Sequence, residues 1–126
     1  MSCISRTYNI KSGSSLAAGT HEGCVVKLTD AGEVDLAADS GYPLGIVSFI
    51  DDDAATCTVV LHGLTYGKAG AAVTVGTSVP HLKSAADSRL DPASAGDLVV
   101  ATIVGEADAA DGDLIEVFVN RFELET

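Results

Sequence analysis

The sequence predicts an all-β fold: a compact antiparallel β-barrel or β-sandwich of short strands, preceded by an extended N-terminal arm. Three observations lead there. Runs rich in β-branched residues recur, as in Leu44-Gly45-Ile46-Val47-Ser48-Phe49-Ile50 and Leu98-Val99-Val100-Ala101-Thr102-Ile103-Val104. Glycine or acidic clusters divide these runs, and 13 glycines against 3 prolines favour many turns over long helices. With 3 Phe, 3 Tyr and no Trp, the core must come from Val, Leu, Ile and Ala, which suits thin, closely spaced layers. A closed or stacked sheet of about eight to ten strands would also protect its edges.

At 126 residues the chain is read as one unit, with residues 1–20 as the arm and 21–126 as a single β domain. Tyr8 and Ile10 alternate with Asn9 and Lys11, which fits a short edge strand or an arm laid on a neighbour. Residues 9–20 are rich in Gly, Ser and Ala and read as a loop. Gly23 to Leu28 is the first core strand, Thr29 to Gly32 a turn, and Glu33 to Leu36 a second strand with one wet face. The segment from Gly41 to Gly63 is a hairpin whose tip, Asp51-Asp52-Asp53-Ala54-Ala55, cannot sit in a core. After it, Gly63, Gly67 and Gly70 are expected to break any continuous element. Ala71 to Val75 reads as a strand, and Pro80 confines its run to an edge or a strand end. Residues 84–95 are the best place for one helical turn. Leu98 to Val104 and Asp113 to Val119 are strands around the acidic turn 105–112, and Arg121 to Leu124 extends the last one or packs as a tail.

The second half echoes the first. Gly23-x-x-Val26 matches Gly76-x-x-Val79 at a spacing of 53, and Leu44 to Val47 matches Val100 to Ile103 at a spacing of 56. An internal duplication of a β unit would explain the two acidic hairpins.

Composition excludes several partners. Seven basic against 18 acidic residues give a formal charge of −11, so no cationic surplus exists to displace counterions from nucleic acid. An anionic membrane is disfavoured on the same ground, and no run approaches the roughly 18 apolar residues of a membrane span. Cys3, Cys24 and Cys57 are odd in number and widely spaced, against a disulfide framework.

Candidate chemistry is sparse. His21, His62 and His81 form no metal-binding pair in sequence, and Asp51 to Asp53 lack the spaced oxygens of a calcium loop. Asp108, Asp111 and Asp113 are better spaced but still do not assign a metal. No nucleophile elbow or phosphate loop occurs. The sequence therefore assigns no catalytic residue, no cofactor and no metal. Apolar and aromatic residues near the chain ends, Ile4, Tyr8, Ile10, Phe122 and Leu124, are the candidate interface.

The ordered pieces GCVVKL (23–28), EVDLA (33–37), YPLGIV (42–47), TVVLHG (58–63), GTSV (76–79), AGDLVVATIV (95–104) and DGDLIEVFV (111–119) carry a likeness. Together they resemble the small β-rich capsid decoration, or cement, proteins of tailed bacteriophages. The resemblance implies a non-enzymatic homotrimer on the outer capsid surface of the virion, made in the host cytoplasm. It would bind the major capsid protein of the expanded head and stabilise contacts between its subunits, with the N-terminal segment reaching onto the capsid. The alternatives are another virion component, such as a head-fibre base or tail protein, and a small hydrolase, which would need convergent Asp and His residues. A carbohydrate-binding module is disfavoured by the absence of Trp.

Overall fold

A computed structural model of the chain describes residues 6–38, 42–70, 81–94, 96–104, 110 and 112–123. These residues form an all-β architecture of nine strands. In chain order they are β1 (Arg6–Lys11), β2 (Val25–Leu28), β3 (Val34–Leu36), β4 (Gly45–Asp51) and β5 (Thr56–Lys68). Then follow β6 (His81–Ser84), β7 (Leu90–Pro92), β8 (Leu98–Ile103) and β9 (Leu114–Glu123). All strand pairings are antiparallel. A first sheet runs β3-β2-β4-β5-β1, a second runs β5-β9-β8-β6-β7, and β5 belongs to both.

Local chemistry sets the first turns. Gly32, at φ 78°, lets Thr29 and Glu33 close the β2–β3 hairpin through a 2.8 Å backbone hydrogen bond. At the β4–β5 tip, the Asp51 carboxylate accepts from the backbone N–H groups of Asp53 and Ala54 at 3.1 and 3.2 Å. Residues 9–11 belong to β1 rather than to the expected loop, which begins after Lys11 and sends Leu16 into the interior. Residues 6–11 themselves pair along β5, so Tyr8 and Ile10 lie in an edge strand of this chain's own sheet.

The expected break at Gly63 does not occur. The strand continues for 13 residues, through both Gly63 and Gly67. Gly63 takes φ 120° where β5 passes from the first sheet to the second, a conformation that glycine adopts without penalty. Gly67 has a packing role: a Cβ there would stand 2.3 Å from Leu90 Cδ1.

The pairing pattern of the first half recurs in the second. Val26↔Leu36, Lys27↔Asp35 and Leu28↔Val34 have their counterparts in Leu82↔Pro92, Lys83↔Asp91 and Ser84↔Leu90, every residue 56 positions on. Val25↔Ile46 and Val26↔Gly45 correspond at the same spacing to His81↔Thr102 and Leu82↔Ala101. The β4–β5 pair Val47↔Val59 corresponds to Ile103↔Val117 of β8–β9. The β1–β5 pair Thr7↔Val60 corresponds to Leu64↔Phe118, which gives the second part of β5 the position that β1 holds in the first sheet. Parallel bridges Ser12↔Val34 and Ala69↔Leu90 curl the two halves in the same way. The recurring register across β2 and β6 is thus 56, where the glycine-led alignment used 53; β2 pairs from Val25 onward, so Gly23 lies outside the ladder.

Two cores result. One holds Leu16, Val26, Val34, Val47, Ile50, Cys57 and Val59, with Ile10 packed against it. The other is built from the second half, including Leu82, Leu90, Val100, Val117 and Val119, but it also takes in Val25, Ile46 and Val60 from the first sheet. One face of the first sheet therefore fills its own core while the other face enters its neighbour's.

Residues 84–95 contain no helix among those described, contrary to the expectation for this stretch. Ala85 to Arg89 instead close the β6–β7 hairpin, through Ala85 N–H to Arg89 O (2.8 Å) and Ser88 N–H to Ala85 O (2.9 Å). Ser88 is almost fully buried at φ 64°. Its hydroxyl accepts from Ala38 N–H at 2.7 Å, and its carbonyl accepts from Val25 N–H at 2.7 Å. The Ser84 hydroxyl donates to Ala38 O. These contacts tie the second hairpin to the first sheet, a constraint 50 residues distant in sequence that outweighs the weak helical spacing. The expected strand at 71–75 and Pro80 lie outside the described residues, as does most of the 105–112 turn.

Three tests follow from this packing. A Cβ on Gly45 would stand 2.2 Å from the Val60 carbonyl oxygen, a backbone atom that cannot rotate away. Gly45→Ala is expected to cost at least the usual 1–3 kcal/mol, roughly, of an overpacked core, read as a lower urea midpoint. Ser88→Ala strands the Ala38 N–H and should cost about 1–3 kcal/mol, whereas Ser88→Gly loses the same hydroxyl but relieves the positive φ and should cost less. Burial pushes both the Cys24 and Cys57 thiols up from their ordinary value of 9.0, with Lys68 and Arg89 partly opposing the shift at Cys24. Above about pH 9 the unfolded chain releases protons that the folded chain keeps, so stability falls as pH rises. Stability measured from pH 8 to 10.5 or thereabouts should decline less steeply in Cys24→Ala/Cys57→Ala, by up to about 1.4 kcal/mol per pH unit for each thiol.

Candidate interaction surfaces

The acidic and histidine residues that could have formed a reactive site are engaged separately. Asp51 caps its own turn, and the Asp52 carboxylate accepts from Ala18 N–H at 3.2 Å, pinning the loop after β1. Asp113 accepts from Ala110 N–H at 2.9 Å, while Asp108 and Asp111 lie outside the described residues. His21 Nδ1 accepts from Ala17 N–H at 3.0 Å. His62 stands edge-on to Phe118 with ring centroids 4.9 Å apart, and His81 pairs likewise with Phe122 at 5.0 Å. Among the described residues, no three His, Cys, Asp or Glu side chains gather closely enough to hold a cation. Nor is any helix among them long and apolar enough to cross a membrane.

The chain-end candidates are distributed unevenly. Tyr8 is more than half exposed on β1. Ile10 is half-buried against the first core. Phe122 is half-buried in β9 beside His81. Ile4 and Leu124 lie outside the described residues. Of the described three, Tyr8 and Ile10 lie on β1 and Phe122 on β9.

A second surface feature is an open cleft of about 560 Å³ on the first sheet, lined by Leu28, Thr29, Tyr42, Pro43, Leu44 and Arg121. Arg121 donates from Nη1 to Pro43 O at 3.0 Å, holding β9 against the approach to β4. Tyr42 and Leu28 are its exposed rim.

The most apolar exposed face belongs to the second sheet. Strand alternation sends Ile115, Val117 and Val119 inward, and Leu114, Glu116 and Phe118 to the opposite face. Opposite them on β5 stand Lys68, Tyr66 and Leu64. Leu64, Tyr66, Leu114 and Val104 are 41%, 59%, 58% and 45% exposed, half of the large exposed apolar side chains among the described residues. Thr102 continues the row, bonded to Asn120 and to His81 at 3.1 Å each. Sequence reading missed this face because its members come from β5, β8 and β9, with no contiguous run to mark it.

No family model and no curated protein matches the chain. Among solved structures it is similar to the N-terminal base of the head fibre protein gp8.5 of bacteriophage phi29, with a TM-score of 0.61 at 19% identity. The match covers 98% of this chain and 100% of that one. It overturns the expected likeness to capsid decoration proteins, and the cementing of capsid subunits that the likeness implied. The motifs behind that likeness are glycines and prolines before β-formers, which mark turns in many β folds and carry little about how the sheets are connected. The chain has the fold of a phage head-fibre base.

Proposed function

We propose that this chain is a virion structural protein that serves as the base of a head-attached fibre or similar appendage. The end-to-end similarity of its fold to the phi29 head-fibre base, covering both chains almost completely, carries this reading. Its partner in this reading is the major capsid protein of the head, bound from outside by a homotrimer. Three linked copies turn weak contacts into stable attachment, since the second and third bind at a raised effective concentration. Tyr8, exposed on β1, is the proposed head contact.

Co-sedimentation with purified heads and, separately, with purified tails tests the assignment. Saturable binding to heads and none to tails is expected, and Tyr8→Ala should weaken it severalfold. Binding to tails alone would make the chain a tail component, and binding to neither would overturn the proposal.

A further inference from the structure

The two halves place a lysine at equivalent positions and treat it differently. Lys27 on β2 and Lys83 on β6 stand 56 residues apart, each opposite an aspartate of the neighbouring strand, Asp35 or Asp91. Lys83 is neutralised by Asp97 at 3.4 Å. The residue 56 positions before Asp97 is Gly41, which has no side chain to offer, and Lys27 has no ion pair among the described residues. Of the nearby carboxylates, Asp35 accepts from the Leu36 N–H at 3.0 Å and Glu33 pairs with Lys11 at 3.4 Å. Lys27 lines the open cleft of about 560 Å³, and so does Arg121, which β9 brings in from the second sheet. The Pro43 carbonyl accepts one hydrogen from Arg121 Nη1 and so fixes the guanidinium, whose other donors have no carboxylate among the described residues.

We propose that this cleft is a binding site for a saccharide that carries a carboxylate. The site is independent of the fibre-base function and of any contact with the head.

Each part of the wall selects part of that ligand. Two of the chain's seven basic side chains meet there against one carboxylate, Asp30, so the cleft is locally cationic in a chain of net charge −11. A fixed guanidinium with an ammonium in the same wall suits a planar carboxylate. Asp30 is an acceptor: a bare anion gains nothing from it, whereas the hydroxyls of a sugar are donors that satisfy it. Tyr42, 83% exposed and followed by Pro43 and Leu44, offers apolar ring surface for the C–H face of a sugar. It supplies the aromatic surface whose scarcity, with no Trp in the chain, spoke against a carbohydrate site. The Thr29 hydroxyl, in the same wall, is buried without a hydrogen-bond partner, and a turn of χ1 toward a ligand hydroxyl would complete that bond. The cleft also has the size of a small-molecule site and lies where the two sheets meet, a usual place for one.

The test is isothermal titration calorimetry of the full chain with two acidic sugars, trigalacturonate and N-acetylneuraminate, and with methyl-esterified trigalacturonate and inorganic phosphate. At least one acidic sugar is expected to bind, more weakly as salt is raised, since cations in an open cleft are screened. The ester, which keeps the rings and loses the charge, and phosphate, which keeps a charge and has no ring, should bind at least about tenfold more weakly. Lys27→Gln and Tyr42→Ala should each weaken binding of the acidic sugar by about fivefold to tenfold. Lys83→Gln removes the equivalent lysine, which is outside the cleft and already paired with Asp97, and should leave the affinity unchanged. Binding of neither acidic sugar, equal binding of the ester or of phosphate, or a folded Lys27→Gln that binds like the wild type overturns the proposal. If Lys27→Gln does not fold, Tyr42→Ala carries the same comparison, because that side chain is almost wholly in solvent.

Discussion

The structure depends on one interlock: Ile46, with Val25 and Val60, reaching from the first sheet into the core of the second half. Gly67 makes room for it. At the place that Ile10 takes in the first half, the second half has no side chain; Leu90 fills part of the space, and Ile46 Cδ1 approaches to 3.5 Å of the Cβ site. Because β5 is the last strand paired with β4 and also the first strand of the second sheet, the two halves cannot slide apart without breaking a continuous ladder. Polar contacts then fix the angle between them: Ser88 with Ala38 and Val25, Lys68 N–H with Gly23 O at 2.9 Å, and Arg121 with Pro43. The halves form one cooperative body although each curls around its own set of apolar residues.

Much of the fold was legible because most of its turns are local. The Thr29–Gly32 turn and the Asp51 tip are each closed by groups within a few residues, and the alternation around them reads directly as strand. What misled were positions governed by distant partners. Gly63 and Gly67 look like breaks, but each answers a tertiary demand, a sheet-to-sheet crossing in one case and the Leu90 side chain in the other. The Ala, Asp and Ser residues of 84–88 are compatible with a helix by propensity, and the buried contacts of Ser88 decide against it. The internal echo was anchored on glycines, which mark sharp backbone and carry no register. The register lies in the paired strands, where Lys27 and Lys83, Asp35 and Asp91 stand at equivalent positions.

The surfaces were less legible than the fold. Sequence reasoning placed the interface at the chain ends because apolar residues beyond the last core strand look wasted. Yet Ile10 and Phe122 have partners within the fold, and Tyr8 alone of the described three stands well exposed. The apolar face of the second sheet is assembled by cross-strand pairing from residues up to about half the chain apart, as Leu64↔Phe118 shows. Period-two alternation does mark Leu64, Tyr66 and Lys68 as one side of a strand. It does not reveal that this side is the outer one, since earlier in the same strand Cys57 and Val59 on one side and Val60 on the other are all buried.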